Sequence, residues 1–155
     1  MEMNNAPGKG LLKVSGILFI VFGGISLLLG VLALAGLMMP GGAQMVEQTT
    51  GVSATTVIIG AILIVVIAAV NITAGILGVK NANKPEKAQT CFIVAVVLLV
   101  IIIVNSVISV STGQFNIVSI VIQFVLPVLY LLGAIKNKEV AGNVTNAVDS
   151  NDYNA

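Results

Sequence analysis

Few residues in this chain are equipped for reaction chemistry, and their positions decide which chemistries remain. Acid–base or nucleophilic catalysis draws on histidine, a carboxylate pair or an activated thiol. The sequence has no His, one Cys and six acidic residues. The acidic positions, Glu2, Glu47, Glu86, Glu139, Asp149 and Asp152, all fall outside the long apolar stretches. Cys91 has neither a second cysteine for a disulfide nor an imidazole to draw off its proton, so it reads as a small core side chain. No enzymatic activity, cofactor or metal centre is expected, since zinc and related sites need clustered Cys, His or carboxylate ligands. A proton relay or a proteolipid of rotary type would need a carboxylate in mid-span, and this chain has none there.

What remains is the chemistry of amides and hydroxyls in apolar surroundings. Asn105 and Ser109 lie towards the end of the third apolar stretch, and Ser119 and Gln123 towards the start of the fourth. A tight turn centred near residue 114 would set Asn105 opposite Gln123, Ser109 opposite Ser119 and Thr112 opposite Asn116. Pro127 lacks the N–H that would bond the Gln123 carbonyl, which leaves an acceptor beside the same group. An amide unsatisfied in hydrocarbon is costly, so this cluster has two readings: a polar joint between two helices, or a small ligand or water site open to the outside. Asn71 in the second stretch is nearest in depth to Tyr130.

Small residues supply a second pattern. Gly16, Gly23 and Gly30 recur every seven residues in the first stretch, and Ala61, Ala68 and Gly75 recur at the same interval in the second. If the two stretches are antiparallel helices, these residues pair as Gly16 with Gly75, Gly23 with Ala68 and Gly30 with Ala61. Every pair has the same sum of residue numbers, as antiparallel neighbours must. Small side chains let backbones approach closely, which is a main source of helix association in lipid. The same face could instead serve an oligomer.

The elements that carry these residues follow from composition. Hydrophobic residues make up 57% of the 155 and charged residues 8%, against about 25% charged in soluble domains. Four apolar stretches each reach the roughly 20 residues needed to cross about 30 Å of hydrocarbon. The expected fold is all-α: a four-helix transmembrane bundle of two antiparallel hairpins, with helices at about 11–38, 54–79, 88–111 and 117–135. Residues 1–10 read as a disordered N-terminal tail, 11–135 as the transmembrane domain, and 136–155, rich in Asn, Asp and Gly, as a disordered tail. The first stretch follows Lys9 and Lys13 and contains Ala33-Leu34-Ala35, yet it is longer than a signal peptide's apolar region and is expected to be retained. All seven lysines lie in the two tails or in the connection between the second and third stretches. By the positive-inside rule, both termini are expected in the cytoplasm and the protein in the cytoplasmic membrane. A net charge of +1 gives no reason to expect nucleic acid as a partner. The expected partners are the lipid bilayer and either further copies of this chain or another membrane protein.

The run Gly75-Ile76-Leu77-Gly78-Val79-Lys80-Asn81-Ala82-Asn83-Lys84-Pro85-Glu86-Lys87-Ala88, joined to the glycine-studded first stretch, resembles uncharacterised small four-span membrane proteins of Gram-positive bacteria. The resemblance covers about residues 9–138. It implies a bacterial multi-pass protein and assigns no catalytic or binding residue. Packing surfaces without reactive groups point to a non-enzymatic structural or interaction protein that assembles laterally in the membrane. Two alternatives stand beside it: a pore-forming, holin-like protein or carrier of a neutral solute, and an immunity-type or small-molecule or lipid-sensing membrane protein.

Overall fold

The computed structural model describes residues 6–111 and 117–152; for residues 108–111, 119 and 143–152 the description is of the backbone alone. The fold is all-α, a bundle built on four long apolar helices. Among the described residues five α-helices run in order: α1 Lys9–Met38, α2 Gly42–Thr50, α3 Ala54–Asn81, α4 Ala88–Ser111 and α5 Ile117–Asp152, with a 3₁₀ turn at Pro85–Lys87 before α4. Segments of α1, α3, α4 and α5 are long and apolar enough to span a bilayer. The chain is therefore a multi-pass membrane protein.

Three expectations are corrected. The connection after the first span is not all loop. Pro40 ends α1, and Gly41 and Gly51, both with positive φ (82° and 69°), then bracket the short helix α2. Glycine is suited to such positions because a Cβ is strained in the left-handed region. Residues 6–10, expected to belong to a disordered tail, are structured: the Lys9 amide bonds to the Ala6 carbonyl, and Ala6 is buried. The last span does not stop at Ile135, because α5 continues to Asp152. The cause lies just past the expected end, where Asn137 is fully buried and bonded to two other segments.

The chain divides into two compact units. One comprises residues 1–18 and 74–155. Here the start of α1, the end of α3, α4 and α5 share a core of small side chains: Ala74, Ala82, Ala88, Cys91, Ala95 and Ala134, closed by Leu12, Leu98 and Tyr130. On α4 the buried positions are 88, 91, 95 and 98, the alternating three- and four-residue spacing of a helix seam. The other unit, residues 19–73, is the hairpin of α1 and α3 with α2 between them, and it buries Phe19, Leu37, Ala61 and Ala68. The other large apolar side chains described along the spans are exposed or half-buried, as lipid-facing surfaces require.

Candidate functional site

The polar groups best held in the structure lie in the first unit, at the end that carries the lysines. Asn137 ties three segments together: its Oδ1 accepts from the Gly8 amide at 2.8 Å, and its Nδ2 donates to the Ala82 carbonyl at 3.0 Å. The Gly8 amide precedes the first turn of α1 and the Ala82 carbonyl follows the end of α3, both groups left over when helices end. One amide on α5 thus closes two other helix ends. Seven residues earlier, Tyr130 is fully buried and its hydroxyl donates to the Ala74 carbonyl at 3.0 Å. The Cys91 thiol points at the Leu77 carbonyl at 4.0 Å and is fully buried.

Glycines admit these contacts. A Cβ on Gly78 would sit 2.5 Å from Tyr130 Cε2, and one on Gly133 would sit 2.9 Å from the Leu12 amide. At Gly8 a Cβ would run into the Gly133 carbonyl. The arrangement is a buried joint of backbone carbonyls, the two hydrogen bonds of an amide side chain and a phenol. It has the parts for holding helices in register and no paired acid and base.

The seam predicted from the seven-residue spacing meets this joint at one end. Gly16 lies against α3, where a Cβ would come within 2.8 Å of the Gly75 carbonyl oxygen and 3.1 Å of the Val79 amide. In the second unit Gly23 faces Ala68 and Ile72, with a Cβ 3.2 Å from the Ala68 carbonyl oxygen. Gly30 faces Val65 and Ile64. Val79, Ile72 and Val65, met by Gly16, Gly23 and Gly30 in turn, recur every seven residues on α3, the same interval as the glycines.

Asn105 on α4 and Gln123 on α5 are both exposed, and Asn105 has an interaction of its own. Ser106 bonds back to the Ile102 carbonyl at 2.8 Å. Pro127 is buried within α5. The side chains of Ser109 and Ser119, and the whole of the turn around residue 114, lie outside the described residues. Among the described residues, no three His, Cys, Asp or Glu side chains gather where they could hold a metal.

Sequence reasoning misses Asn137. Asn137 stands between Lys136 and Lys138, where composition reads as the start of a polar tail. The signal available is Gly133, one turn before it, which marks a close approach continuing past Ile135.

These features define a class: an all-α, four-span membrane protein locked at its lysine-bearing end. Compared with protein-family models, curated proteins and solved structures, the chain matches none.

Proposed function

We propose that this chain is a non-enzymatic protein of the cytoplasmic membrane that assembles laterally, with further copies of itself as the first partner. One observation carries the reading: among the described side chains, full burial on α4 and α5 is confined to residues 88–98 and 127–137. The buried stripe of α4 stops at Leu98, although the helix continues to Ser111. From Leu99 to Val107, and from Ile117 to Leu126, every residue whose side chain is described is exposed or half-buried. Apolar side chains on that surface are at home in lipid. The Gln123 amide, about 9 Å along the helix from its start, is not. A second copy bringing an equivalent surface would give it hydrogen-bonding groups and close backbone contact, which together drive association in a bilayer.

The test is mass determination in mild detergent together with disulfide trapping through a cysteine placed at Gln123 in a Cys91→Ala background. A discrete oligomer that crosslinks through position 123 supports the proposal. A monomer at all protein concentrations, with no crosslink, overturns it. An oligomer that also passes small solutes in liposome flux assays would convert the reading to the pore-forming alternative.

A further inference from the structure

The seven lysines of the chain all lie in the first unit, in or next to the ends of its helices. One is held in an unusual way. The Lys138 ammonium sits over the Phe92 ring, 5.0 Å from its centre, a cation–π contact that holds the charge down against the helix surface. Phe92 is near the start of α4, and Val96 and Val100 follow it at intervals of four, on one helix face. Val96 is 40% exposed and Val100 52%. On α5, which packs directly against α4, Leu131 and Val128 descend from Lys138 along the corresponding side, half-buried and exposed respectively. A fixed cation therefore stands at the head of an open apolar track between two helices.

We propose that this track is a binding site for one anionic phospholipid, with its phosphate on Lys138 and an acyl chain laid along Val96, Val100 and Val128. A soluble anion would use the charge and leave the apolar track unfilled, whereas a phospholipid joins the two chemistries at the required depth. Gln89, exposed one turn before Phe92, offers an amide to the headgroup. The charge balance favours an anion, since this unit holds all seven lysines against five acidic residues, Glu2, Glu86, Glu139, Asp149 and Asp152. The charged head of this site, Lys138 with Phe92 and Gln89, lies outside the exposed stretches Leu99–Val107 and Ile117–Leu126, with Val100 the one shared residue, and the inference stands whether or not the protein assembles laterally.

The experiment measures association of spin-labelled phosphatidylglycerol and phosphatidylcholine with the full-length protein in liposomes. The expected result is a preference for phosphatidylglycerol that falls about fivefold in Lys138→Gln, the worth of one lysine near a charged surface. Phe92→Leu, which keeps the apolar surface but releases the ammonium, should show part of that loss. Lys13→Gln, which removes an exposed lysine on α1, should show less than either. Equal association of the two lipids, or a Lys13→Gln effect as large as that of Lys138→Gln, would overturn the site in favour of a diffuse charge effect. Displacement of the labelled lipid by millimolar inorganic phosphate at constant ionic strength would overturn it in favour of a soluble anion.

Discussion

At the scale of the residue, the glycines of this chain divide into those that are pressed and those that are free, and substitution should separate them. Gly78 lies under the Tyr130 ring, and that ring cannot swing away without losing its hydroxyl's bond to the Ala74 carbonyl. Gly78→Ala is therefore an overpacking change and should cost about 1–3 kcal/mol. Gly24 has nothing within 4 Å of where a Cβ would go, so Gly24→Ala should be neutral or slightly stabilising. Reversible unfolding in detergent micelles would compare the two, and equal effects would contradict the close approach of α3 and α5. Asn137 gives a second contrast. Asn137→Leu leaves the Gly8 amide and the Ala82 carbonyl without their partner, at about 1–3 kcal/mol for each group that stays buried, whereas exposed Lys136→Gln should change little. Gly16 and Gly23 are legible from spacing alone, because a seam of small residues writes its period into the sequence. Asn137 is not, because a buried amide at a helix end has the same composition as a solvated tail.

At the scale of the element, four apolar runs longer than a bilayer is thick leave little choice but helices, and the bounds of α4 at Ala88 and Ser111 can be read directly. The errors lie where polar sequence meets the membrane boundary. The short α2 is hidden because Pro40-Gly41-Gly42 at its start and Gly51 after it read as loop, although Gly41 and Gly51 supply the left-handed turns that let a helix start and stop. The continuation of α5 is hidden because hydropathy falls at Lys136 while helical packing does not. Truncation tests that distinction. Ending the chain after Gly142 keeps Asn137 and its two bonds, so thermal stability in detergent should stay close to that of the full chain. Ending it after Ile135 removes the joint between α5, Gly8 and Ala82 and should lower stability by several degrees. Similar losses from both truncations would place the stabilising contacts beyond Gly142 instead.

At the scale of the whole molecule, function depends on which side of the bilayer each surface faces, and the four spans reduce that question to one measurement. α3 runs from Ala54 to Asn81 and is apolar enough to cross the membrane, so the connection before it and the one after it belong on opposite sides. Gln48, on α2, and Lys84, between α3 and α4, are both exposed and report on those two connections. The complete segregation of lysine argues that the Lys84 side is cytoplasmic, since moving several lysines across an energised membrane is opposed during insertion. In a Cys91→Ala background, Gln48→Cys should react with a membrane-impermeant maleimide in intact cells, and Lys84→Cys should react only after the cells are opened. The reverse pattern would invert the protein and place the lysine-bearing end outside. Labelling of both positions in intact cells would remove α3 as a single crossing. The expected pattern would put Lys138, near the end of the fourth span, on the inner leaflet, where anionic lipid supplies the surface potential that basic side chains read. It would also leave the exposed amide of Gln123 in the outer half of the bilayer, within reach of a second copy.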